Sequence, residues 1–147
     1  MSKPVVIPFE TTIHVRDTCL CLHVQRAARA LARRFDEALR PVGLTNGQFS
    51  LLMSLNRPEP AGLGGVANLL AMDRTTLTAA LKPLERRGLL TIAPDPKDGR
   101  ARVLSLTDAG RAVLARALPI WTREHGQLDE DLAGGSETLR AGLKAIA

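Results

Sequence analysis

The feature that most restricts the fold is a change of period in the middle of the chain. In "MDRTTLTAALKPLERRGLL", Leu77, Leu81 and Leu84 recur at i, i+4 and i+7, the spacing of one helical face. After Gly88, a glycine of the kind that ends helices, the period drops to two. "LLTIA" and "ARVLSL" read as strands around the loop Pro94 to Arg100, which holds the turn pair Asp98-Gly99. Thr107 then caps a new helical pattern carrying Leu114, Leu118, Trp121, Leu128 and Leu132 near one face. This order predicts a mainly α fold with a small β-hairpin.

Upstream, Pro4 and Pro8 oppose helix, so residues 1 to about 15 are expected as an extended arm. Asp17 or Thr18 is the expected cap of a long helix on which Leu20, Val24, Ala27, Leu31, Phe35 and Leu39 share a face, ending at Pro41 and Gly43. "TNGQ" is a capping box, Thr45 with Gln48, opening a helix that turns Phe49, Leu52 and Leu55 inward. "NRPEPAG" stops it. A short helix from about Gly65 to Leu70 follows, then a tight turn through Ala71 and Met72, with Asp73 as the next cap. Past Gly134-Gly135 a last helix presents Leu139, Leu143 and Ile146.

Two short helices, a tight turn and a hairpin together spell a winged helix-turn-helix, whose second helix enters the DNA major groove. Opposite the leucine stripe lie Thr75, Thr78, Ala79, Lys82 and Arg86, one polar stripe. Small and hydroxyl-bearing residues come first, where the helix approaches base edges, and Lys82 and Arg86 come where it meets phosphates. Arg74 and Thr76 flank that start, Arg74 placed to read a guanine. The hairpin loop adds Lys97 and Arg100, and an arginine at a wing tip fits a narrow minor groove. Charge agrees. The net charge is +5, and from Arg74 to Arg111 eight basic residues face four acidic ones, whereas after Arg111 four face five.

These segments resemble one family. "LTNGQFSLLMSL", "DRTTLTAALKPLERRGLL" and "DPKDGRARVLSLTDAGR" are similar to the MarR (multiple antibiotic resistance regulator) family of bacterial transcription factors, from about Cys19 to the C-terminus. The most specific match is the wing's Asp98 and Arg100, followed by Leu106 and Thr107. The resemblance implies a homodimer, a repressor on a pseudo-palindromic operator in double-stranded DNA, and two close cysteines without a secretory apolar run make the cytoplasm the expected compartment. In it Arg100 reaches the minor groove and Asp98 helps to hold it. It implies one domain over 1–147, with a DNA-binding lobe at 45–106 and helical dimerisation regions at 17–42 and 107–147. Those long helices also carry more apolar face than one small winged helix covers. The chain departs from the family at Ala71, where relatives commonly have glycine, and at Gly99, where many carry a charge.

Relatives released by small aromatic or phenolic ligands imply an effector site, for which Val24, Phe49 and Trp121 would supply apolar wall and His23 or Arg26 an anion contact. "LCL" at Leu20 to Leu22 resembles the segment of the peroxide-sensing OhrR branch, with Cys21 at the position of its reactive cysteine. The assisting tyrosines are absent, Gln25 and Phe35 standing where they are expected. Metal binding is not expected: on a continuous helix Cys19 and His23 share a face while Cys21 points about 200° away from Cys19. No cofactor is expected either. Nor does the chain hold a Gly-rich phosphate loop, or a nucleophile with a base at motif spacing, so an enzyme is not expected. A non-specific architectural DNA protein remains the rival reading, and a membrane span is excluded by the lack of about 18 consecutive apolar residues.

Overall fold

The computed structural model describes residues 1–147. The chain forms two units, Met1–Arg34 and Phe35–Ala147. No helix is long and apolar enough to cross a membrane.

In the N-terminal unit the expected arm is instead partly helical. Helix α1 spans Phe9–Thr18, with Pro8 at its N-cap. A proline there loses nothing, because the first turn's amides have no helical partner anyway. Asp17 and Thr18 close this helix rather than cap the next: Asp17 pairs with Arg16 at 2.8 Å, and the Thr18 hydroxyl donates to the His14 carbonyl. Cys19 is extended at ψ 110°, and α2 then runs Leu20–Leu39. Cys19 is therefore off the helix. The shared face assumed for Cys19 and His23 becomes a contact of a different kind, His23 Nδ1 lying 2.8 Å from the Cys19 carbonyl.

The second unit holds the core. After a 3-10 turn at Arg40–Val42, α3 spans Asn46–Ser54, and both halves of its capping box are made. Asp36 fixes its entry, accepting from the Asn46 amide at 2.7 Å and from Asn46 Nδ2 at 2.8 Å. These bonds, the side-chain one foremost, hold the Asp36 carboxyl below its usual range. A strand unseen in the sequence, β1 (Ala61–Gly62), leads into α4 (Leu63–Leu69) and α5 (Arg74–Arg86). Strands β2 (Leu90–Pro94) and β3 (Arg102–Leu106) complete an antiparallel sheet of order β1-β3-β2, with Leu90 opposite Leu106 and Ala61 opposite Leu104. The helices α6 (Asp108–Asp131) and α7 (Glu137–Ile146) follow.

Period becomes packing directly. Leu77, Leu81 and Leu84 from α5 meet Leu90, Leu104 and Leu106 from the sheet and Leu51, Leu52 and Leu55 from the end of α3, all buried. Thr107 joins wing to helix: its hydroxyl donates to the Gly88 carbonyl at 2.6 Å and accepts from the Gly110 amide at 3.0 Å. Gly88 is left-handed at φ 70°. Not every apolar residue turns inward. Leu69, Leu118, Leu139, Leu143 and Ile146 are exposed in this unit, as are Leu20, Val24 and Leu31 in the first.

Candidate nucleic-acid interface

Helix α5 is positioned from both ends. Asp73 accepts from the Thr76 amide at 2.7 Å and the Thr76 hydroxyl at 3.0 Å. These bonds keep its carboxyl below the usual range, and a charged carboxylate suits a helix N-terminus. At the other end Arg87 Nη1 donates to the Gly43 carbonyl at 2.9 Å, clamping α5 to the turn before α3. Before the helix stands Ala71 at φ 53°, the one non-glycine residue with a left-handed backbone. The turn therefore does require the conformation that glycine adopts freely, and alanine holds it at a cost of about 1 kcal/mol.

Between these anchors Thr75, Thr78, Ala79 and Lys82 line one shallow concavity with Arg74, and all five are exposed. Arg74 lies over α4, its Nη2 only 3.0 Å from where a Cβ on Gly64 would stand, so Gly64 makes room for it. Arg86 continues the face. Thr76 does not join it: its hydroxyl is engaged by Asp73, so its part is to cap the helix.

The wing loop is braced by its own backbone. Asp95 Oδ1 accepts from the Lys97 amide at 2.9 Å, and Asp98 Oδ1 from the Arg100 amide at 3.1 Å. Main-chain bonds from Asp95 to Ala101, from Asp98 to Asp95 and from Ala101 to Asp98 close the loop. Asp98 thus holds Arg100 by its backbone and leaves the guanidinium clear. Sequence reading missed Arg102, exposed on β3, whose Nη1 donates to the Gly99 and Ala101 carbonyls at 3.3 and 3.4 Å. It stands in register with the buried Leu104 and Leu106, so strand alternation gave no signal for it.

None of Arg74, Lys82, Arg86, Lys97 or Arg100 is in an ion pair. Basic side chains left without carboxylates over two adjoining exposed elements are fit to replace counterions along a phosphate backbone.

Of the effector candidates, Phe49 and Trp121 come together. Their rings stack at 6.2 Å and 19°, and with Ser50, Met53, Ser54, Leu69 and Leu70 they line a concavity of about 400 Å³. His125, which no sequence motif singles out, joins them. It stacks on Trp121 at 4.8 Å, tilts toward Phe35 at 6.4 Å, and sets Nδ1 3.4 Å from Asp129. Asp129 also accepts from the Ser136 amide and hydroxyl, and so joins α6 to the start of α7. The Ser136 hydroxyl is foremost in holding its carboxyl below the usual range, with the His125 charge adding. His23, Val24 and Arg26 lie exposed on α2 in the N-terminal unit, and Cys21 is there a free, exposed thiol.

Comparison with known proteins agrees with this geometry. The MarR family model matches residues 44–101. The transcriptional regulator MosR of M. tuberculosis, in complex with DNA, is 34% identical over 87% of this chain and 92% of its own, with a TM-score of 0.80. The transcriptional repressor CouR, bound to a 23-mer duplex, is 34% identical over 86% of this chain and 88% of its own, with a TM-score of 0.72. CouR has also been solved bound to p-coumaroyl-CoA, at 33% identity and a TM-score of 0.76. The transcriptional activatory protein BadR of Rhodopseudomonas palustris is 32% identical over 97 residues, 64% of this chain and 55% of BadR. The chain spans about half the length of such curated relatives. With its helix-turn-helix, its three-stranded wing and this likeness to DNA-bound regulators, the chain belongs to the MarR family of DNA-binding transcriptional regulators.

Proposed function

We propose that this protein is a homodimeric repressor that grips a pseudo-palindromic operator and is released from it by a small ligand with an aromatic group. The observation that carries the reading is the unpaired polar stripe of α5, continued by the unpaired basic side chains of the wing. In it Thr75, Thr78 and Ala79 approach base edges and Arg74 reads a guanine. Lys82 and Arg86 meet phosphates, while Lys97 and Arg100 follow the minor groove from a loop that Asp98 fixes. Thr76 acts through the cap. The lobe is 45–106, and 17–42 with 107–147 carry the dimer. Exposed Leu118, Leu139, Leu143 and Ile146 support a second copy as their cover.

The stacked Phe49 and Trp121, with Met53, Leu69 and Leu70, supply the apolar wall that an aromatic ligand needs. The p-coumaroyl-CoA complex of CouR supports an aromatic acyl ligand for this chain.

The test is selection of duplexes from a random pool at near-physiological salt. Recovery of an inverted repeat, its half-sites about one helical turn apart, is the expected result. An unenriched pool with strongly salt-dependent binding would replace this reading with a non-specific architectural protein.

A further inference from the structure

The base of the wing holds a concavity that neither the DNA-binding face nor the aromatic wall uses. Strand β3 runs from Arg102 at the wing to Leu106, and Ala61 of β1 lies opposite Leu104, so the residues before Ala61 lie toward α6 and away from the wing tip. There Arg57, Pro58, Glu59 and Pro60, from the loop after α3, meet Ser105 of β3 and Arg111 of α6 around a space of about 160 Å³. None of these residues lines the concavity of α5 or that of Trp121. All of them belong to the second unit.

Three charged groups from two separate parts of the chain converge here without neutralising one another. Arg57 and Glu59 are in no ion pair, and Arg111 reaches only the exposed Asp108 carboxylate, at 3.4 Å. Pro58 and Pro60 fix two φ angles of the loop, so its side of the space is set before anything binds. A carboxylate and two guanidinium groups that share a hollow usually close on one another. These stand apart, and the gap suits a group that accepts from two guanidinium forks and donates to a carboxylate.

That requirement is chemically narrow. A carboxylate ligand offers two oxygens, which one fork occupies, and at neutral pH it has no proton for Glu59. Sulfate has the oxygens and no proton. A phosphate monoester, with its second pKa about 6, has lost nearly all of its proton at pH about 7.5. Inorganic phosphate keeps a P–OH there and still has oxygens for both forks. Size agrees: at about 30 Å³ per water the space holds roughly five waters, enough for one tetrahedral oxyanion. We infer that Arg57, Glu59 and Arg111 form a binding site for hydrogen phosphate, both guanidinium groups donating to its oxygens and its P–OH donating to Glu59. Ser105 supplies a further hydroxyl. The bound ion ties the loop before β1 to β3 and α6, the elements that root the wing.

The experiment is calorimetric titration of the purified full-length protein with inorganic phosphate, sulfate and methyl phosphate, in chloride at fixed ionic strength and pH about 7.5. Wild type is expected to bind phosphate at least about tenfold more tightly than either other anion, the difference made by one charge-assisted bond. Arg57→Gln with Arg111→Gln, both exposed, is expected to weaken phosphate about tenfold or more, with unchanged helical circular dichroism and operator affinity. Glu59→Gln is expected to bring the three anions within about twofold of one another, because the amide donates where the carboxylate only accepted. Equal binding of the three by wild type would overturn the site, as would undiminished phosphate binding by the double variant. A preference for phosphate that survived Glu59→Gln would overturn it too, since the P–OH would then have another acceptor.

Discussion

Substituting alanine for Gly110 tests how the wing is joined to α6. By intrinsic propensity the change in a helix should stabilise by about 1 kcal/mol. The structure predicts the opposite. A Cβ on Gly110 would stand 2.1 Å from the Leu89 carbonyl oxygen and 3.1 Å from both the Leu89 carbonyl carbon and Leu106 Cδ2. The oxygen belongs to backbone, and it already accepts from the Thr107 amide at 3.2 Å. To clear it, the first turn of α6 must lift by about 1 Å, since real Cβ contacts essentially never fall under 3.0 Å. Lifting strains that bond and the Thr107 bond to the Gly88 carbonyl. Overpacking costs roughly 1–3 kcal/mol and each hydrogen bond about 1 kcal/mol. Set against the propensity gain, the net loss is roughly 2–4 kcal/mol, a large part of a typical domain's stability. Gly126→Ala is the control in the same helix: nothing lies within 4 Å of its Cβ, so it should gain about 0.5–1 kcal/mol. Urea midpoints at one fixed protein concentration measure both, the fixed concentration keeping any dimer equilibrium constant. A Gly110→Ala protein at least as stable as wild type would refute the close approach of α6 to Leu89.

Four more outcomes are expected. Arg100→Ala should cut operator affinity roughly 10- to 100-fold with an unchanged urea midpoint, as measured by fluorescence anisotropy; undiminished affinity at equal salt would remove the wing from recognition. Lys82→Ala should weaken all duplexes alike and make the salt slope shallower by about one, while a loss confined to one base position would make it a base reader. Ala71→Gly should raise stability by up to about 1 kcal/mol, the relief of a left-handed alanine less the entropy that glycine adds to the unfolded chain; a lower midpoint would contradict φ 53° at that turn. Asp36 has a depressed folded pKa, so its contribution is full above pH about 4 and is lost as pH falls through the lower folded value. Asp36→Asn should therefore cost roughly 1 kcal/mol at pH 7, and the gap to wild type should narrow as pH falls below about 4, which thermal melts over a falling pH series would show or deny.

What the sequence disclosed was local. The Thr45 box, the Asp73 and Thr107 caps and the Gly88 stop each lie within four residues of the groups they satisfy, and all are as expected. The leucine period of α5 needed only its own spacing to announce the core. What stayed hidden depends on distant partners. Strand β1 is two residues long, too short to show a period, and exists because Ala61 and Gly62 pair with Leu104 and Val103. His125 carries no local signal because Phe35 comes to it from α2, 90 positions away, beside Trp121 from its own helix. Arg87 reaches Gly43 across 44 positions, which no window can see. The N-terminal arm was misread for another reason: Pro8 was taken as evidence against helix, yet it stands where a helix begins. On α5 and the wing, which side chains share a face follows from spacing, while the bonds each one makes do not. Only the bonds reveal that Thr76 serves the cap and that Asp98 grips Arg100 by its amide.

The proposed release mechanism has a short physical path. Leu69 and Leu70 end α4 and line the same concavity as Phe49, Met53 and Trp121, and α5 begins at Arg74. Only Ala71, Met72 and Asp73 intervene. Asp73 is bonded to Thr76 and Met72 donates its amide to the Ala67 carbonyl, so the connection is firm at both ends and strained at Ala71. A ligand seated on Trp121 that displaced Leu69 or Leu70 would therefore move the start of α5, where Arg74 and Thr75 stand, before it moved anything else. A ligand shifts DNA affinity only by the difference between its own affinities for the DNA-competent and displaced arrangements. If this path carries the coupling, the strained turn contributes to that difference, because relief of Ala71 is available only to an arrangement in which the turn relaxes. Ala71→Gly removes the strain from the unrelaxed arrangement and leaves the relaxed one as it was. It should leave ligand binding in place while reducing the ligand's effect on operator affinity, by a factor of up to about five for each kcal/mol of strain removed. An unchanged ratio of operator affinities with and without ligand would mean that the signal to α5 runs by another route.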